Sequence, residues 1–189
     1  HAALSSVPTP KVILDRALEG EDADLVRIDH EQGAYLATRH LLDLGHVDIA
    51  CINGPADTSV AKMRLAGFQR SLVEAGVTLG EGRVVNSDFT SLGGYGVAAQ
   101  LLGRNRPTAI FAGNDMIGMG VLRAAAERHI TVPGELSVIG FDDIQMCQYV
   151  YPALTTVGQS IRDLGEMAAS MLLRRIGGPG VLPGEQPVL

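Results

Sequence analysis

Short apolar runs and longer segments of helical period alternate along this chain. Residues 11–15 (KVILD), 25–29 (LVRID), 47–52 (VDIACI), 83–86 (RVVN), 108–112 (TAIFA), 136–141 (LSVIGF) and 154–157 (LTTV) read as strands. Residues 31–44 carry Leu36, His40, Leu41 and Leu44 at helical spacing, and Gly45 supplies a stop. Residues 59–75 place Met63, Phe68 and Leu72 on or near one helix face before Gly76. Residues 92–102, 115–128 and 161–176 predict three more helices, the last closed by Gly177-Gly178-Pro179-Gly180. Val132-Pro133-Gly134 reads as a turn, and the Pro/Gly-rich tail to Leu189 is assigned no element.

The strands are apolar throughout rather than alternating. Alternation of such strands with helices predicts an α/β fold, a parallel sheet covered by helices on both faces. In these sheets ligands bind outside the carboxyl ends of the strands. Two strand ends stand out: 136–141 stops on Asp142-Asp143, and 154–157 is followed by Gln159. Asn114 follows TAIFAG, and Asp15 follows KVIL.

At 189 residues the chain is long enough for one domain or two small lobes. It is 46% hydrophobic but only 4% aromatic and has no Trp, so its core is built from Val, Ile, Leu and Ala. A net charge of −6 argues against free-standing nucleic-acid binding, which needs a surplus of Lys and Arg. Cys51 and Cys147 lie among apolar neighbours without a CxxC or a Cys/His cluster and read as reduced core or interface thiols. No apolar run is long enough to span a membrane. The chain starts HAALSSVPTP rather than with Met and reads as a piece of a longer protein.

Collected from strand ends and the openings of the following helices, the candidate ligand set is Asp15, Arg16, Arg64, Asn114, Asp142 and Gln159, with the aromatic Phe89 after VVNSD. Carboxylates, guanidiniums and amides in this mix suit a polyhydroxylated ligand, whose hydroxyls both donate and accept. A Phe packs on the apolar face of a sugar ring. Each residue also has a plainer role open to it. Asp15 suits a turn cap, Arg64 a solvated helix face, and Asn114-Asp115 a helix start. No hydroxyl nucleophile sits beside a His, no metal-ligand spacing occurs, and neither GxGxxG after a strand nor GxxxxGK[ST] is present. Asp142 and Asp143 do not form an acid/base pair, because neighbouring strand residues point to opposite faces. No enzyme activity, cofactor or metal is therefore expected. His30, His40, His46 and His129 are scattered and read as structural.

The stretches VILDR (12–16), HLLDLGHVDIACINGP (40–55), MRLAGF (63–68), PTAIFAGND (107–115), VPGELSVIGFDD (132–143) and PALTTVGQ (152–159) together resemble the effector-binding core of the lactose/galactose-repressor family of bacterial transcription regulators. SDFTSLGGY and GNDMIGMGV make it most similar to the family's ribose-operon repressors. The resemblance implies a type I periplasmic-binding-protein-like fold with an incomplete amino-terminal lobe. Residues 1–28 would belong to that lobe, 29–157 to the carboxyl-terminal lobe, and 158–189 to the return segment. It implies a sugar, ribose or another pentose, held in the inter-lobe cleft by Arg64, Asn114, Asp142, Phe89 and Gln159, with Asp15-Arg16 contributing from the opposite lobe. It implies a cytoplasmic homodimer that contacts operator DNA through a helix-turn-helix upstream of this chain. Leu92, Met119, Leu122, Met146, Tyr149 and Val150 form the expected dimer patch, with ordinary core packing as the alternative. The rival readings are a periplasmic sugar-binding transport protein of the same fold and an α/β enzyme.

Overall fold

The computed structural model describes residues 9–15, 23–103, 105–177 and 184–189. Its contacts divide the chain into two units. The larger unit is His30–Gln159, and the smaller comprises the described residues up to Asp29 and from Ser160 onward.

The larger unit is a five-stranded, wholly parallel sheet. Its strands are β3 (Ile49–Asn53), β4 (Val84–Asn86), β5 (Ala109–Ala112), β6 (Ser137–Asp142) and β7 (Thr155–Gly158), in the order β4-β3-β5-β6-β7. The apolar runs explain its layers. Along β3, Ile49 and Cys51 face one way and Ala50 and Ile52 the other; β5 divides Ala109 and Phe111 from Ile110 and Ala112 in the same manner. The first set packs under α1 (His30–Asp43) and α2 (Ser59–Glu74), with Leu41, Phe68 and Leu72. The second packs under α3 (Ser91–Leu101) and α4 (Asp115–Glu127), with Ala98, Ile117 and Val121. Both faces of the central strands β3 and β5 are dry, which is why they show no polar alternation.

The paired helices lie close together. A Cβ on Gly67 of α2 would run into the Glu31 carbonyl of α1, and one on Gly120 of α4 would meet the Ser91 carbonyl of α3. Side-chain caps fix the starts of α2, α3 and α4. Thr58 accepts from the Ala61 amide, Thr90 from Gly93 and Asn114 from Ile117. A 3₁₀ turn, Gln145–Gln148, not expected from the sequence, follows β6.

The smaller unit pairs β1 (Val12–Leu14) with β2 (Asp24–Val26) in parallel, and α5 (Ile161–Gly177) packs on them through Leu164, Ala168 and Met171. The tail is not structureless. The amides of Leu25, Arg27 and Asp29 donate to the carbonyls of Glu185, Pro187 and Leu189 at 2.9, 3.1 and 2.9 Å, so residues 185–189 run beside β2 as a parallel partner. Five residues interrupted by Pro187 are too short to show a period, so this pairing left no sequence signal.

One ion pair ties the tail, β2 and α5 together. Arg175 donates from Nε and Nη2 to the two carboxylate oxygens of buried Asp24 at 2.7 and 2.6 Å, and the Glu185 amide adds a bond of 2.8 Å to Oδ1. The Arg175 hydrogen bonds hold the Asp24 carboxyl below the usual aspartate value against the opposing effect of burial. A lowered carboxyl stabilises the fold above the unfolded value, near pH 4, and that stabilisation drains away as the pH falls through the lowered value. Asp24→Ala removes the carboxylate that accepts twice from the part-buried Arg175 and once from the Glu185 amide, and we expect it to cost about 3 kcal/mol. The loss should appear as faster hydrogen exchange at the Leu25 and Leu189 amides at pH 7, and the difference from wild type should shrink as the pH falls below 4.

Candidate functional site

Arg64 projects from the first half of α2 and is 3% exposed. Its guanidinium lies over the Phe141 ring, 3.8 Å from the centroid. Nε and Nη2 meet the His30 Nδ1 at 3.4 and 3.2 Å, Nη1 donates to the Gly113 carbonyl, and Nη2 donates to Asp142 Oδ1 at 3.0 Å. Gln159 Nε2 donates to the same Oδ1 at 2.8 Å. Neutral His30 with its proton on Nε2 is the form that accepts at Nδ1. The result is a planar cation buried between an aromatic face, an imidazole, a carbonyl and a carboxylate. Burial raises the Asp142 carboxyl above the ordinary aspartate value, and Arg64 pulls against that rise.

Asp142 ends β6, Asn114 starts the helix after β5, and Phe89 follows β4, so all three stand at strand carboxyl ends. The Asn114 amide is already engaged twice: Oδ1 accepts from the Ile117 amide at 2.9 Å, and Nδ2 donates to the Phe89 carbonyl at 3.1 Å. Asn114 is thus a helix cap that also fixes the Phe89 loop. The Phe89 ring covers Gly54, where a Cβ would overlap it.

Backbone strain concentrates in these segments. Among the described residues Asp15, Phe89, His129, Asp142 and Asp143 are the non-glycine residues with positive φ; all but His129 adjoin strand carboxyl ends. Conformations of this kind cost roughly 1–3 kcal/mol each and persist where surrounding contacts over-determine them.

The site therefore joins Arg64, Asp142 and Gln159 in direct contact, with Asn114 and Phe89 bonded to one another. Asp15 lies in the smaller unit, just past β1, where its Oδ1 accepts from the Ile28 amide beyond the neighbouring β2 at 3.3 Å. Arg16 lies outside the described residues. In the expected dimer patch Leu92, Met146 and Tyr149 are exposed, and Met119 and Val150 are partly buried against the core. Leu122 is a correction: at 8% exposed it belongs to the core beside Val121, because the face of α4 that covers the sheet is wider than its spacing suggested.

Sequence reasoning missed two contributors. Phe141 was read as strand core, and the cation–aromatic contact that makes it a platform needs the fold. Asp115 was read as a helix start. It is fully buried, its Oδ1 accepting from the Thr156 hydroxyl at 2.5 Å and its Oδ2 from the Ile144 amide at 2.9 Å. An acid in the first turn of α4 was visible; its partners, 29 and 41 residues away, were not.

Comparison with known proteins matches the geometry. A periplasmic binding protein-like domain model matches residues 38–188. The ribose operon repressor of Escherichia coli K12 is 40% identical over 171 residues, 90% of this chain and 52% of the repressor, so the chain spans about half the length of that curated relative. A solved LacI-family regulator from Enterococcus faecium with bound ribose is 35% identical with a TM-score of 0.85, covering 95% of this chain and 66% of that one. A LacI-family protein from Sanguibacter keddieii is 34% identical with a TM-score of 0.88, covering 97% of this chain and 69% of its own. With the fold and these similarities in agreement, the chain belongs to the LacI family of transcriptional regulators and carries its periplasmic binding protein-like domain.

Proposed function

We propose that this chain is the part of a transcription regulator that senses a small sugar, ribose or another pentose, at the carboxyl edge of the larger unit's sheet. The observation that carries the reading is the buried Arg64–Asp142 pair with Gln159 beside it. Asp142 Oδ1 takes both protein bonds, which leaves Oδ2 for a sugar hydroxyl. Gln159 Oε1 is buried with no protein partner. Phe89 offers an apolar wall to the ring. Hydrogen bonds to charged groups are worth roughly 1.5–3 kcal/mol, and a polar group left unpaired costs a comparable amount, so such a site discriminates between sugars by single hydroxyls. The ribose bound by the Enterococcus faecium relative and the likeness to a ribose operon repressor support a pentose.

The sugar acts by preferring one arrangement of the regulator over another, and it shifts the balance only by its difference in affinity for the two. With a net charge of −6, operator contact falls to a DNA-binding segment outside this chain. A regulator of this kind works in the cytoplasm. Two copies pair through the α3/α4 face, where Leu92 is 78% exposed beside Met119 and a groove of about 550 Å³ runs between the helices.

Thermal stabilisation by sugars tests the reading directly. Ribose at about 100 times its dissociation constant should stabilise the chain by about 2.7 kcal/mol, and Asp142→Ala should abolish the effect. A chain stabilised by a hexose alone refutes the pentose, and one that ignores every sugar refutes the sensor. Because burial raises the Asp142 carboxyl, stabilisation by ribose should fade with decreasing pH sooner than an ordinary aspartate would dictate.

Arg64→Met strands the part-buried Asp142 charge and should lower stability in urea by about 3 kcal/mol. Arg64→Lys should recover only part of that, since an ammonium lacks the planar fork that reaches Gly113 and Asp142 together. For the dimer, Leu92→Asp should shift the chain toward monomer in light scattering without changing its circular dichroism; an unchanged mass would remove this face from the interface.

A further inference from the structure

Asp142 and Asp143 form a two-residue turn with φ of 114° and 55°; the second lies in the left-handed well that aspartate tolerates, and the first lies well outside it and needs constraint. The bonds at the Asp142 side chain account for one side of that constraint. The other side lies in the backbone that follows. The Asp143 amide donates to Thr156 Oγ1 at 3.3 Å, the Thr156 hydroxyl donates to Asp115 Oδ1 at 2.5 Å, and the Ile144 amide donates to Asp115 Oδ2 at 2.9 Å. Both amides after Asp142 are thereby referred to one fully buried carboxylate. Room for it is made by Gly140, where a Cβ would overlap Asp115 Oδ1.

The lengths support a strong tether. A hydroxyl-to-carboxylate bond near 2.5 Å is at the short, charge-assisted end of the range. Burial first, and then the nearby Asp115 carboxylate, pushes the Cys147 thiol up to about 12, so it stays protonated at neutral pH. Asp115 thus gathers an amide and a hydroxyl from the two segments on either side of the 3₁₀ turn. None of these groups touches Arg64 or Gln159 in the bonds described, so the tether is separate from the contacts that hold the Asp142 side chain.

We propose that Asp115 and Thr156 are positioning residues for ligand binding: their relay holds the Asp142–Ile144 backbone in its strained turn and so aims the Asp142 carboxylate at Arg64 and the sugar. This rests on the sugar-binding reading above. It adds that affinity is set in part by two residues that do not touch the ligand.

Thr156 offers the cleaner test, because Thr156→Val keeps the shape and removes the hydroxyl, whereas Thr156→Ser keeps the hydroxyl. Asp115→Asn is a harsher companion that risks unfolding. Ribose affinity would be measured by calorimetry, and the Asp142 side-chain carboxyl would be titrated by NMR without ligand. We expect Thr156→Val to weaken ribose about 5- to 10-fold, the scale of one lost hydrogen bond, and Thr156→Ser to stay within about 2-fold of wild type. The Asp142 carboxyl, raised by burial in the wild type, should move toward the ordinary value in the Val variant and stay in place in the Ser variant. A Val variant that folds, binds ribose like wild type and leaves the Asp142 titration unchanged overturns the proposal. The same holds if the Val and Ser variants lose affinity equally. If wild type ignores ribose, the sugar assignment fails on its own, and the Asp142 titration in the two variants still decides the positioning role.

Discussion

A guanidinium cannot be buried alone. Desolvating a side-chain charge costs several kcal/mol even in a real protein interior, and the cost is met only by a near-complete set of partners. Arg64 has such a set because three elements converge on it: Phe141 and Asp142 from β6, His30 from the start of α1, and the Gly113 carbonyl from the end of β5. The sheet order β3-β5-β6 puts those ends side by side, and Gly67, letting α2 press on α1, brings Arg64 over them. The fold therefore builds the site as a condition of burying one cation. The carboxylate left facing outward, Asp142, is the group suited to a ligand.

Much of this was legible in the sequence. Uninterrupted apolar strands between helical segments announced a parallel sheet covered on both sides, and the polar residues just after each strand marked its carboxyl edge. Arg64, Asp142 and Gln159 were named on those grounds and are found bonded together. What was not legible depends on contacts between distant residues. The ladder between 185–189 and β2 is built from backbone bonds, with the Asp24 carboxylate added at the Glu185 amide, so no periodic side-chain pattern encodes it. Leu122 looked like a surface residue because helix spacing gives the direction of a face but not its width. Phe141 carries an ordinary strand signal, and its role under Arg64 exists only once α2 is packed above it.

Asn114 shows how a sequence reading of a site residue is refined by geometry. Its cap to Ile117 and its bond to the Phe89 carbonyl use the amide on both sides. It still serves the site, by fixing the loop that carries the aromatic wall. A residue two contacts removed from a ligand can look identical in sequence to one that touches it, since the same side chain at the same strand end does either job.

Asn114 and Asp115 are neighbours at the start of α4, and each holds a different loop. Asn114 holds the Phe89 loop after β4, and Asp115 holds the turn after β6 and, through Thr156, strand β7. Both loops contain residues at positive φ that would relax if released. One helix start thus maintains strain on both sides of β5, at the aromatic wall and at the carboxylate. A ligand that pulled on either loop would load the same two residues. The same helix carries Met119 and lines the groove on the outer face of the larger unit. Any shift of α4 that accompanies pairing at that face would reach the Phe89 loop and the Asp142 turn together, because both are anchored in its first turn.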